Sequence, residues 1–269
     1  MAYRHVVEGN NIVDLKWGSA NPLTLTIQFM TYVSIAGPYS FAIRNNGATY
    51  AYTTSYNVAT INSWVKSTLV IPGPPSGSVW ASDTNVGLEL FWGLHGSGSS
   101  FAAPSTTSTW SNANYITTSN QTNLGATVNS YFNLTSVQLE TGTLATQFEW
   151  RPLETEMRMC QRYYEKSYPY TSVAGSTNGG NQNARWTIMY SSNNAWGFMF
   201  AIEKRAIPSV TFYNPTSGVV NQMPSVNTST LYTVSASGDQ GNKGCCTLNV
   251  SGATAGGYLY FHFTANADF

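Results

Sequence analysis

The chain has 269 residues, enough for one large or two medium-sized cores, because domains cluster near about 100–150 residues. Lys and Arg (12) balance Asp and Glu (12), charged residues are only 9% of the sequence, and the 42% hydrophobic content excludes a disordered chain. Such a neutral chain is not expected to bind nucleic acid electrostatically, and without an apolar run of about 18 residues we expect no membrane insertion.

Short strand patterns fill the first part of the chain. In residues 22–33 the apolar side chains of Leu25, Ile27 and Phe29 alternate with Thr26 and Gln28, which predicts a half-buried strand. Similar runs, separated by turns rich in Gly, Pro and Asn, lie at 39–43, 48–53, 64–71, 86–94 and 131–140. Many short strands of this kind are typical of an antiparallel sandwich, so we predict a jelly roll over residues 1–150.

A charge-dense segment interrupts the strand pattern and predicts an amphipathic helix. Pro152 suits the first turn of a helix, and Glu154 and Glu156 favour its positive end. The apolar residues recur at steps of four, three and four, which places them on one helix face. They are Leu153, Met157, Cys160 and Tyr164. We therefore predict a linking helix over residues 151–167.

Strand patterns resume after the helix. They lie at 185–190, 196–201, 209–213, 232–236, 247–250 and 258–264. We predict that residues 168–269 form a smaller C-terminal β-sandwich domain. The predicted fold class is therefore all-β: an antiparallel jelly roll that resembles a carbohydrate-binding module, a short linking helix, and this second sandwich.

The sequence carries no catalytic or metal-binding motif. Its histidines, His5, His95 and His262, are scattered and have no Asp or Cys at the spacing of a known triad. Cys160 stands alone and Cys245 is adjacent to Cys246, so neither a zinc motif nor a disulfide framework is indicated. We therefore expect no enzymatic activity, no catalytic residue, no metal and no cofactor.

Several motifs carry a resemblance to a known family. Residues 134–152 read LTSVQLETGTLATQFEWRP, and residues 160–166 read CQRYYEK. Together they resemble a widespread family of bacteriophage tail-fibre and virion structural proteins, whose pattern is VQLE-x-G-x-x-A-T-x-F-E-x-R-P followed by E-x-x-x-C-Q-R-Y-Y-E-K. The segments at 7–11, 15–20 and 204–210, and the final five residues, are similar to other parts of the same family. We also expect Phe148 and Trp150, within this motif, to enter a core.

The resemblance implies a protein of the virion, made in the host cytoplasm, that forms a homotrimer and contacts other virion proteins and the host surface. In this family the segment like 7–11 follows earlier jelly-roll strands. Here it begins within ten residues of Met1. We therefore expect the jelly roll of this chain to be incomplete at its N-terminus.

Two groups of residues are candidates for binding. Aromatic rings in or near loops would stack on a host glycan, or else belong to the core or a subunit interface. These candidates are Trp80, Trp110, Tyr115, Tyr170, Trp196 and Tyr213. The helix stripe Leu153, Met157, Cys160 and Tyr164 would face a threefold axis, or else pack on its own jelly roll.

The function expected from these features is that of a tail-fibre subunit attaching to a host glycan or protein. One alternative is a capsid decoration or head-fibre protein, in which the same fold is mainly structural. A second alternative is a polysaccharide-degrading tail spike, which would require two cooperating carboxylates.

Overall fold

The computed structural model describes residues 1–95, 104, 107–177, 183–228, 230–236 and 239–269. These residues form two compact units, Met1–Trp150 and Arg151–Phe269. Both units are built almost entirely from antiparallel sheets, so the predicted all-β fold class is confirmed. No helix among the described residues is long and apolar enough to cross a membrane.

The first unit is a sandwich of two antiparallel sheets. Its strands are β1 (Ala2–Glu8), β2 (Leu25–Val33), β3 (Gly37–Arg44), β4 (Ala51–Val58), β5 (Val65–Ile71), β6 (Val86–Gly93), β7 (Thr109–Ser111) and β8 (Phe132–Thr141). One sheet has the order β1-β6-β3-β4-β7 and the other β5-β2-β8. Short 3-10 turns lie at Gly9–Asn11, Val13–Leu15 and Leu124–Ala126.

The core of the first unit lies between these two sheets. Phe29 of β2 contacts Phe41 of β3 and Trp92 of β6, with ring centroids 6.0 Å and 5.7 Å apart. All three side chains are almost fully buried. Aromatic pairs at such distances add to the stability that burial of their area gives. Val137 and Leu139 of β8 also pack against this core.

The prediction of a half-buried strand over residues 22–33 is wrong, because β2 is buried on both faces. The segment that follows β8 supplies hydrogen-bond partners on the outer face. The hydroxyl of Thr26 donates to the carbonyl of Gly142 (2.7 Å), and Nε2 of Gln28 donates to the carbonyl of Thr146 (2.8 Å). Buried polar side chains require such partners, which the alternation of residues along β2 alone does not reveal.

The expectation that Trp150 enters a core is also wrong. Its side chain is 81% exposed and contacts Phe148 edge-on, with ring centroids 5.0 Å apart. The two aromatic rings pack on each other at the end of the first unit.

The second unit combines a short helix with two four-stranded sheets. Its elements are α1 (Leu153–Gln161), β9 (Tyr164–Lys166), β10 (Arg185–Ile188), β11 (Asn194–Met199), β12 (Ser209–Tyr213), β13 (Gln222–Pro224), β14 (Leu231–Ala236), β15 (Gly244–Val250) and β16 (Tyr258–Asn266). One sheet has the order β10-β16-β12, with β9 also pairing with β16, and the other has the order β11-β15-β14-β13. Phe198, Phe212, Phe261 and Phe263 contact one another within the core of this unit.

The predicted helix over residues 151–167 is too long, and Tyr164 does not lie on it. The helix ends at Gln161, and Tyr164 opens strand β9, which pairs with β16. The reason is the next residue, Glu165, whose carboxylate is buried and must find a partner inside the unit. An extended backbone at this point places Glu165 in the interior.

The partner of Glu165 is Lys204, which is almost fully buried. Nζ of Lys204 donates to Oε2 of Glu165 (2.6 Å) and to the carbonyls of Gln161 (2.6 Å) and Ile202 (2.8 Å). The carboxylate of Glu165 also accepts the backbone N–H of Ala201. All three ammonium hydrogens are therefore used, and both buried charges are paired.

We expect Lys204→Ala to lower the free energy of unfolding of the second unit by about 3–5 kcal/mol, because it leaves the Glu165 carboxylate buried and unpaired. Urea unfolding followed by tryptophan fluorescence measures the change. The matched control is Lys243→Ala, which removes an exposed pair with Glu203 at 3.8 Å and should change stability little. Equal unfolding midpoints for the two variants would contradict this account of the buried pair.

Candidate functional site

Strand β10 presents a row of large side chains to solvent. Trp186 is 60% exposed and Ile188 also points outward, whereas the intervening Thr187 is buried. Beyond the strand, Met189 is buried and Tyr190 is exposed, so the alternation continues. The period of two residues along an extended chain thus places Trp186, Ile188 and Tyr190 on one face.

Neighbouring segments extend this row. Trp186 stacks on Tyr260 of β16, with ring centroids 5.8 Å apart and ring planes 29° apart. Ile188 lies opposite Tyr258 in the β10–β16 register. Tyr190 contacts Trp196 of β11, which is 62% exposed, at a centroid distance of 5.0 Å. We call this set the aromatic strip: Trp186, Ile188, Tyr190, Trp196, Tyr258 and Tyr260.

Two close contacts hold the backbone beneath the strip. The hydroxyl of Thr187 donates to the carbonyl of Trp196 (2.5 Å), which ties β10 to β11. Gly197 lies so close to β15 that an added Cβ would stand 1.6 Å from the carbonyl oxygen of Cys245. Only glycine fits such an approach of two strands. The strip is therefore built on a fixed strand framework rather than on a loop.

The second unit also contains an uncharged cleft. It has a volume of about 300 Å³, and Gly257 and Leu259, which flank Tyr258, both line it. The remaining lining offers hydroxyl and amide groups from Ser225, Asn227, Thr228, Tyr232 and Thr254. These side chains both donate and accept hydrogen bonds, which suits a ligand rich in hydroxyl groups.

Cys245, whose carbonyl lies against Gly197 beneath the strip, carries a buried thiol. Burial, together with the neighbouring Cys246 thiol, raises the pKa of Cys245 to about 11, so this side chain stays a neutral thiol. Among the described residues, no three His, Cys, Asp or Glu side chains lie together as a metal site. The strip and the described lining of the cleft carry no Lys, Arg, Asp or Glu, so they offer aromatic rings and neutral hydrogen-bonding groups.

The structure places the six aromatic residues singled out from the sequence in different surroundings within their own units. Trp196 lies in the aromatic strip. Tyr170 is exposed elsewhere in the second unit, and its carbonyl accepts from Nζ of Lys166 (3.1 Å). Tyr213 is half-buried and packs edge-on against Tyr168, with ring centroids 5.9 Å apart.

The three candidates of the first unit are half-buried. Trp80 and Trp110 contact the buried Trp17 at centroid distances of 4.7 Å and 5.4 Å. Their indole N–H groups donate to Oγ of Ser78 and to the carbonyl of Pro72. The carbonyl of the third candidate, Tyr115, accepts the hydroxyl of Thr53 (3.1 Å). We leave these residues out of the candidate surface because packing and hydrogen bonds account for them.

Sequence reasoning missed most of the strip, although a signal was present. Large side chains stand at every second position in both segments: Trp186, Ile188 and Tyr190 in the first, and Tyr258 and Tyr260 in the second. Large apolar residues at alternate positions of a strand indicate its core face. Here the opposite face, which includes Thr187, Phe261 and Phe263, is the buried one. The sequence therefore showed two apolar faces without indicating which one is exposed.

The described residues leave the stripe on helix α1 largely uncovered. Leu153 is 75% exposed, Met157 is half-buried and Cys160 is exposed. No residue of α1 is buried. An amphipathic helix whose apolar face stays in water is typical of a surface that another chain covers.

Comparisons with known proteins give little further information. No protein-family model and no curated protein matches this chain. Two solved structures of discoidin II from Dictyostelium discoideum are similar to it at 12% and 11% sequence identity. The alignments cover 90% of this chain and 70% or 71% of the discoidin chains, with TM-scores of 0.20 and 0.19. A likeness this weak carries no argument about function.

Proposed function

We propose that this chain is a tail-fibre subunit of a bacteriophage, a structural protein without enzymatic activity that attaches the virion to the host surface. The observation that carries the proposal is the exposed aromatic strip of the second unit, a unit that also contains an uncharged cleft. The motifs at 134–152 and 160–166, which resemble those of tail-fibre proteins, support the same conclusion.

The chemistry of the strip favours a neutral glycan as the host ligand. Five of its six side chains are aromatic and none is charged, so it offers rings for the C–H faces of sugars. The hydroxyl and amide groups of the cleft would bond sugar hydroxyls. A ligand selected mainly by charge would require Lys, Arg, Asp or Glu at the surface, and neither the strip nor the described lining of the cleft contains one.

The same proposal assigns the stripe of helix α1 to assembly. Leu153, Met157 and Cys160 would pack against the equivalent helices of two further copies and so form a homotrimer. Support comes from the exposure of Leu153 and Cys160 in the single chain, where no residue of α1 is buried, and from the family resemblance. Tyr164 would contribute from the adjoining strand β9, where its side chain is also exposed.

We expect Trp186→Ala and Trp196→Ala each to weaken glycan binding about tenfold, because each removes a stacking ring worth roughly 1.4 kcal/mol. An array of neutral bacterial oligosaccharides identifies the ligand, and calorimetric titration measures its dissociation constant. Trp150→Ala is the matched control, because Trp150 is highly exposed but lies outside the strip. Unchanged binding by both strip variants would refute the assignment of the strip.

We expect Met157→Glu to convert the trimer into monomers, because a carboxylate in the middle of the stripe would be buried without a partner. Light scattering at micromolar concentration measures the molar mass. Thr155→Glu, on the opposite face of α1, is the control and should leave the trimer intact. A monomeric wild-type chain, or a trimeric Met157→Glu variant, would show that α1 does not hold the assembly together.

A further inference from the structure

The first unit carries a second cluster of aromatic rings, two of them exposed and one half-buried. Tyr32, at the end of β2, stacks on Tyr131, with ring centroids 5.8 Å apart and ring planes 20° apart. It also contacts Trp64 at a centroid distance of 5.5 Å. Trp64 is 45% exposed and Tyr131 is exposed to a similar extent. We call this cluster the ring platform: Tyr32, Trp64 and Tyr131.

The strand framework explains why these rings meet. Trp64 directly precedes β5 and Tyr131 directly precedes β8, and both strands pair with β2. The next residues, Val65 and Phe132, pack against the core. Because successive side chains of a strand point to opposite faces, Trp64 and Tyr131 are directed to the outer face of the sheet. The platform is therefore set by the β2 pairings.

Asn62 adds a polar group at the edge of the platform. The hydroxyl of Tyr131 bonds to Oδ1 of Asn62. The backbone N–H of Asn62 donates to the carbonyl of Val33 (3.0 Å), which fixes the position of the residue. No acceptor in the described parts of the chain is bonded to Nδ2 of Asn62, so this amide still has hydrogens to donate to a ligand.

The backbone of Asn62 is held in the left-handed region, with φ at 54°. This conformation is uncommon for a residue other than glycine, although asparagine tolerates it better than most. Strained residues of this kind cluster at ligand-binding sites, where the surrounding structure holds them. Here the conformation keeps the Asn62 amide beside the hydroxyl of Tyr131.

We propose that the ring platform is a binding site for one pyranose ring of a glycan. Trp64, the most exposed of the three rings, would stack on the C–H face of the sugar beside the Tyr32–Tyr131 pair, and Asn62 and the Tyr131 hydroxyl would bond its hydroxyl groups. Lys66 lies two residues beyond Trp64 and is exposed, so a carboxylate-bearing sugar has a partner within reach of the same face. This site lies in the first unit and does not depend on the aromatic strip.

Fluorine NMR of the full chain labelled with 5-fluorotryptophan tests the proposal. The chain has eight tryptophans, and Phe replacements assign the signals of Trp64, Trp92, Trp150, Trp186 and Trp196. The probes are the methyl glycosides of glucose, galactose and glucuronic acid. We expect at least one probe to shift the Trp64 signal with saturation in the range of about 0.1–10 mM, a range typical of weak binding. A larger shift with the glucuronide identifies an acidic sugar, and a larger shift with glucose or galactose identifies a neutral one.

Asn62→Gly gives a second test of the same site. It removes the amide but suits the positive φ, so the fold should be kept. We expect it to raise the dissociation constant obtained from the Trp64 signal about fivefold or more, which corresponds to about 1 kcal/mol. The signal of Trp92, which is buried, should not move in any titration.

Two results would overturn the proposal. One is a Trp64 signal that no probe shifts, and the other is an equal shift of Trp64 and the exposed Trp150, which would indicate non-specific binding. If the signals of Trp186 and Trp196 shift while that of Trp64 does not, the ring platform fails and the proposed function stands. If Trp64 alone shifts, the platform stands and the strip assignment fails.

Discussion

The buried contact between Lys204 and Glu165 is the constraint on which the layout of the second unit depends. Removing two charges from water costs several kcal/mol each, so neither side chain tolerates the loss of its partner. The pair forces the chain to leave helix α1 after Gln161 and to enter β9, which pairs with β16. Strand β16 also carries Tyr258 and Tyr260. One ion pair thus connects the proposed assembly helix to the sheet that carries the proposed binding surface.

A buried carboxylate paired with basic side chains also stabilises the first unit. Glu89 is buried in its sheet and lies 2.5 Å from Arg4 and 2.6 Å from Arg44, so a charged group again secures structure. With charged residues at only 9% of the chain, much of the remaining surface consists of hydroxyl, amide and aromatic groups. Because the buried charges named above serve structure, the aromatic strip and the ring platform interact through stacking and neutral hydrogen bonds.

The alternation of apolar and polar residues along the sequence was enough to locate most strands and to predict the all-β class, because the side chains on the core face of a strand recur at every second residue. It failed where a distant segment decides the outcome. Gln28 is buried because the carbonyl of Thr146 bonds it, and Tyr164 leaves the helix because Glu165 bonds Lys204, 39 positions away. The candidate site was only partly predictable for the same reason. Trp196 was expected, but the pairing of Trp186 with Tyr260 arises from strand register.

The central claim is that one surface of this protein holds the copies together while another stays open for the host. Hydroxyl-radical footprinting of the assembled protein, read by mass spectrometry, measures both surfaces at once. The account predicts that Cys160 is protected relative to the monomeric Met157→Glu variant and is equally protected in the trimeric Thr155→Glu variant, while Trp186 and Trp196 are oxidised as fast as in the monomer. Protected Trp186 and Trp196 with freely oxidised Cys160 would contradict it, because the strip would then be the subunit interface.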